Sequence, residues 1–131
     1  MAIKLGINPK EFKKSTTIVL LDGTQDTILV TFKYRTRQQF AQLLDEHRAE
    51  DKMANEAEEK ALKDESFTVE KMYLDSTKKT AERVMQIASG WDLVEPFDVD
   101  HLMQLENEFP GALQGIRNLY QASVAEARVK N

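Results

Sequence analysis

Two histidines, His47 and His101, and the closely spaced acids Asp98 and Asp100 are the residues of this 131-residue chain whose types best suit acid–base or metal chemistry. Each histidine reads as an ordinary, partly exposed residue: His47 where a helix leaves its apolar stripe, His101 on a short helix among acids. Asp98 and Asp100 stand where a helix begins, and there capping and the helix dipole favour acidic residues without any metal. The larger catalytic patterns are missing. The chain has no Gly-rich phosphate loop, no Gly-x-Ser-x-Gly elbow and no His-Glu-x-x-His helix pair. With no cysteine, it offers no disulfide, no thiolate zinc site and no cysteine nucleophile. The expectation is a non-enzymatic protein without a cofactor or metal.

What remains for chemistry is recognition. Trp91 is the single tryptophan and lies before Asp92-Leu93, as a packing anchor or, if exposed, as a contact for a partner. Met53, Met72, Met85 and Met103 supply adaptable apolar surface, with Met72 expected in the core and Met53 and Met85 off the main stripes. A net charge of −4 and a pI near 5.3 give no positive field to gather phosphates, so nucleic acid is a poor partner. A helix-turn-helix around Pro110-Gly111 would have only Arg117 on its recognition helix before that helix ends, too little to anchor on DNA. No run of about 18 apolar residues suits a membrane span, and the first residues lack the apolar core of a signal peptide.

The elements that must position these residues follow from periodicity. The length and a composition 41% hydrophobic and 31% charged suit one domain with a modest core. Residues 1–14, with Pro9 and four lysines, read as an extended lead. The domain proper is expected over 15–131. Within it, 15–35 form a β-hairpin: β-branched runs Thr16 to Leu21 and Thr27 to Tyr34 flank an Asp22-Gly23 turn. Ile28, Val30, Phe32 and Tyr34 alternate with Leu29, Thr31 and Lys33, so one sheet face should pack and the other meet water.

Thr36 and Gln39 form a capping box that opens a helix over 36–65, with Phe40, Leu43, Leu44 and His47 on its apolar face. Beyond His47 that face thins to alanines, and Asp45 to Glu65 holds nine acidic against four basic residues. This part is expected to protrude or fray as a solvated helix, or to order on a partner. Residues 66–131 read as the remaining helices. One carries Val69, Met72, Tyr73, Thr80, Val84, Ile87, Ala88 and Trp91 on a single stripe, with Gly90 as its left-handed end. A short helix capped by Asp98 presents Leu102, Leu105 and Phe109, and Pro110-Gly111 divides it from the last. That last helix presents Leu113, Ile116, Tyr120, Val124 and Ala127 and ends in basic Arg128 and Lys130. The fold class is α+β: an N-terminal β-hairpin followed by a mainly α-helical bundle of about four helices.

Two segments resemble the tail assembly chaperones of long-tailed bacteriophages. The first is Ser15 to Leu44, whose hairpin runs into Thr31-Phe32-Lys33-Tyr34-Arg35-Thr36-Arg37. The second, more specific, runs from Gly90-Trp91-Asp92-Leu93 through Pro96-Phe97, Leu102 and Leu105 to Phe109-Pro110-Gly111-Ala112 and Tyr120. The resemblance implies a chaperone that holds the phage tape measure protein until tail tube subunits polymerise around it. It implies action in the host bacterial cytoplasm and absence from the mature virion. The tape measure protein is then the expected partner, with the tail tube protein and self-association as further contacts, and no nucleic acid or membrane. A structural tail-completion or connector component retained in the virion is the alternative. Client contacts are expected on apolar residues left over from the core, with Trp91, Phe97, Met103 and Tyr120 as candidates.

Overall fold

A computed structural model describes residues 3–63 and 67–126 and the architecture they form. The chain order is β1 (Glu11–Val19), β2 (Gln25–Lys33), α1 (Arg37–Leu62), α2 (Val69–Ile87), β3 (Ala88–Trp91), α3 (Val99–Glu108) and α4 (Ala112–Val124). This is the α+β arrangement read from the sequence, a hairpin followed by four helices, with one strand added.

The hairpin forms because its turn is locally satisfied. Gly23 takes the left-handed conformation at φ 87°, and the Asp22 carboxylate accepts from the Thr24 N–H at 2.9 Å. β1 and β2 pair antiparallel from Glu11 opposite Lys33 to Val19 opposite Gln25. The strand thus begins at Glu11, within the stretch expected as lead, because Lys10 O still accepts from the Tyr34 N–H and the ladder runs on. The period of two holds: Ile28, Val30 and Phe32 are buried, while their neighbours Leu29 and Thr31 are only partly covered.

α1 opens on the reciprocal capping box read from the sequence. Thr36 N–H donates to Gln39 Oε1 at 2.9 Å and Gln39 N–H to Thr36 Oγ1 at 3.2 Å. Phe40 and Leu43 are buried as expected, whereas Leu44 is 41% exposed. α2 is capped by Thr68, which accepts from the Lys71 N–H.

The end of α2 corrects the sequence reading. The helix stops at Ile87, and Ala88 at φ −134° and ψ 153° turns the chain straight into β3. Ala88 and Trp91 therefore belong to a strand and not to a helical stripe, and Gly90 is not in the left-handed region. β3 pairs antiparallel with β2, placing Trp91 opposite Val30 and Ala88 opposite Phe32 across an irregularity, and the sheet order is β1-β2-β3. Pairing with β2 wins over a helical spacing that Ala88 and Trp91 also satisfy, since it closes the open edge of a two-stranded hairpin.

α2 packs against α3, α4, β2 and β3, and α4 lies across β1 and α3. Gly115 marks where α4 crosses β1: a Cβ there would meet Thr16 Oγ1 at 3.4 Å. The core between sheet and helices contains Val30, Phe32, Val84, Leu102, Leu113, Ile116 and Tyr120, all fully buried. Burial of each such aliphatic or aromatic side chain contributes about 1.5–3 kcal/mol. α1 shares no extensive backbone packing with any other element.

Candidate functional site

Tyr120, expected among the client contacts, is 0% exposed and organises the core instead. Its ring sits 5.4 Å from Phe32, 5.5 Å edge-on from Phe40 and 6.1 Å from Phe12. Its hydroxyl donates to Lys33 O at 2.8 Å and accepts from Arg35 Nη1 at 3.2 Å. Burial raises its pKa above the ordinary phenol value. One side chain thereby ties α4 to the end of β2 and the start of α1, and it leaves no surface for a partner.

The other three candidates stay at the surface or near it. Trp91, Phe97 and Met103 are each partly buried and pack against the core. The Trp91 indole is held on two sides: Nε1 donates to Glu95 O at 2.7 Å, and the Phe97 ring meets it edge-on at 5.2 Å. Asp92 continues the strand pairing with a reciprocal contact, its carboxylate accepting from Leu29 N–H and its own N–H donating to Leu29 O. The Trp-Asp pair thus closes the sheet and carries the indole to the α3 side. A cavity of about 270 Å³ opens beside Trp91, with Leu93, Leu105 and Phe109 among its walls.

A larger opening lies elsewhere. Beyond Asp51, every residue of α1 from Lys52 to Lys60 is exposed, and α2 buries nothing fully before Ala81. The outer half of α1 and the first turns of α2 stand apart and enclose a cleft of about 680 Å³. Ala54 and Ala57 line it from α1 beside Asn55 and Glu58; Phe67, Met72 and Tyr73 line it from the α2 side beside polar residues that include Lys71, Asp75 and Ser76. Around it Met53 is 73% exposed, Tyr73 66% and Leu74 56%. Met72, expected in the core, faces this cleft because α2 has no neighbour at that level.

The cleft is fastened at its inner end by a polar cluster that the sequence reading missed. Arg83 is nearly buried on α2, and its Nη2 reaches Asp51 Oδ1 at 2.8 Å and His47 O at 3.1 Å. Lys79 pairs with the same carboxylate. Hydrogen bonds from Arg83, then from Lys79, hold the Asp51 pKa down to about 2. His47 is buried too, contrary to its reading as partly exposed, with Nε2 2.6 Å from Gln86 Oε1. Asp51 stands four residues after His47, on the same face of α1, and a buried arginine opposite them was the missing half of the pattern. The cavity beneath, about 40 Å³, is too small for an organic ligand.

The remaining chemistry-bearing residues serve the fold. Asp98 accepts from the His101 N–H at 2.8 Å and lies 2.7 Å from its ring Nδ1, so the helix cap read from the sequence is present. The His101 backbone N–H, then its ring, lowers the Asp98 pKa. Gly111, in the left-handed region at φ 93°, begins α4 without a side-chain cap of its own. Glu106 from α3 substitutes, accepting from Gly111 N–H at 2.6 Å and Leu113 N–H at 3.0 Å. Ala127, Arg128 and Lys130, expected at the end of the last helix, lie outside the described residues. No described helix is long and apolar enough to cross a membrane.

The family model described as phage tail assembly chaperone matches residues 1–131, the whole chain. No curated protein and no solved structure matches it significantly. The chain belongs to the phage tail assembly chaperone family.

Proposed function

We propose that this member of the phage tail assembly chaperone family binds a helical segment of the tape measure protein in the cleft between α1 and α2. The observation that carries the reading is the unpartnered apolar lining of that cleft, Ala54, Ala57, Phe67, Met72 and Tyr73, on two helices that stand apart. Small residues on one wall and a methionine and aromatics on the other suit an amphipathic helix laid between them. A long helical client exposes an apolar stripe that aggregates when left uncovered, and many copies of such a cleft would cover it. In this reading the chaperone acts in the host bacterial cytoplasm, contacts the tail tube protein or further copies of itself as the tube grows, and does not remain in the virion.

Co-expression with the tape measure protein of the same phage tests this. The client is expected to be soluble and to co-purify with the chain, and Met72→Ser with Tyr73→Ser is expected to leave the chaperone folded and the client in the pellet. A client that stays insoluble beside soluble wild-type chaperone would refute the reading, and finding the chain in purified virions would favour a retained tail component.

A further inference from the structure

The acidic residues of the molecule are unevenly placed. Residues 92–108, the loop after β3 together with α3, contain six acids, Asp92, Glu95, Asp98, Asp100, Glu106 and Glu108, and no lysine or arginine. The fold accounts for four of them. Asp92 accepts from Leu29 N–H, Asp98 caps α3, Glu106 caps α4, and Asp100 stands in the first turn of α3, where the helix dipole favours it. Glu95 and Glu108 make no hydrogen bond or ion pair among the described residues through their carboxylates, and both are exposed. Both line the same cavity, the one beside Trp91.

That cavity combines two kinds of wall. Trp91, Leu93, Leu105 and Phe109 supply an apolar and aromatic lining, Glu95 and Glu108 add two acidic side chains, and Gln104 and His101, whose ring Nδ1 is engaged by Asp98, complete it. The indole needs no rearrangement to serve as a platform, since Glu95 O and the Phe97 ring already fix it. An apolar ligand would leave both carboxylates uncompensated, and an anion would be repelled by them. A lysine or arginine side chain satisfies both parts at once: its methylene stem lies along the apolar wall, its charged end meets the carboxylates, and a cation over an aromatic face gains further.

We propose that the Trp91 cavity is a receptor for a basic side chain, lysine or arginine, presented by the client tail protein. The identity of the client rests on the proposed function, whereas the chemistry of the cavity does not, and it lies apart from the α1–α2 cleft. It provides a polar, position-specific contact where the cleft provides an apolar and permissive one, and so would fix the register of a client helix against the chaperone.

The single tryptophan allows a direct test, because all indole emission of the whole chain reports on this cavity. The probe is a helical peptide of alanine and glutamine carrying three arginines, compared with the same peptide carrying citrulline, which keeps the shape and removes the charge. The arginine peptide is expected to change Trp91 emission saturably, and the citrulline peptide to bind at least about tenfold more weakly. Glu95→Gln with Glu108→Gln, both at exposed positions, is expected to abolish the difference between the peptides while the circular dichroism spectrum stays that of the parent. Equal binding of the two peptides, binding unaffected by the double substitution, or no saturable change with the arginine peptide would overturn the proposal. None of these readings involves Met72 or Tyr73, so failure here and failure of the client-holding role are separable.

Discussion

The base of the molecule and the α1–α2 arm are made from the same two helices yet obey different rules. At the base, α2 from Ala81 to Ile87 is covered by α3, α4 and the sheet, and Phe40, Leu43 and His47 of α1 are buried. In the arm, the same helices continue for several turns with nothing upon them, and apolar side chains such as Met72 and Tyr73 remain in water. The difference teaches that apolar residues at helical spacing mark a face without saying what covers it. Where other elements of the chain reach, the face becomes core; where they do not, it stays exposed.

The sharpest way to break this contrast is to attack the base. Tyr120→Ala removes a fully buried ring from three aromatic neighbours and is expected to cost about 3–5 kcal/mol, enough to collapse the cooperative thermal transition. Tyr120→Phe keeps the ring and loses only the hydroxyl bonds to Lys33 and Arg35, so its melting temperature should fall much less.

Next in size is the junction between the two regions. Arg83→Met takes the guanidinium donor from His47 O and leaves Asp51 with Lys79 alone, and is expected to cost about 1–3 kcal/mol by chemical denaturation. The same junction gives a pH signature. The folded Asp51 pKa lies at about 2, below the ordinary aspartate value of 3.8, so the paired carboxylate stabilises the fold above about pH 4. That contribution disappears as the pH falls from about 4 through 2, because the unfolded chain takes up the proton first. Asp51→Asn should flatten the stability curve across this window, and an unchanged curve would mean the cluster does not fasten the arm.

A smaller change tests the entry to α1. Thr36→Ala removes one half of the capping box and is expected to cost about 1 kcal/mol, read as a shift in the denaturation midpoint. Smallest of all for stability is the arm itself. Met72→Ser with Tyr73→Ser should change the unfolding free energy by less than about 1 kcal/mol, since Tyr73 is 66% exposed and Met72 37%. Loss of client solubility without loss of stability would sharpen the distinction between base and arm; a large loss of stability would erase it.

Local chemistry was read correctly wherever neighbours in sequence are also partners in space. The Asp22-Gly23 turn, the Thr36 and Gln39 box and the Asp98 cap join residues at most three apart, so their types and order alone announce them. The alternation in β2 was legible for the same reason: a strand's own pleat divides its residues between two faces. The segment 88–91 was not legible as a strand, because Ala88 and Trp91 also fit a helical stripe and the choice was made by Val30 and Phe32, some sixty residues earlier.

The candidate site divides likewise. Trp91 and Phe97, singled out as partner contacts, are partly buried, but the same inspection put the fully buried Tyr120 with them and Met72 in the core. An aromatic on an amphipathic stripe has the same sequence signature whether the stripe meets a sheet or meets solvent. By itself the sequence determined the hairpin turn, the helix caps at Thr36 and Asp98, and the family, because these depend on local propensity, capping and residue order. Only the tertiary structure decided that Tyr120 is core, that Arg83 is buried against Asp51, and that Met72 faces a cleft. Burial is a property of which elements come to lie over a face, and those elements are distant in the chain.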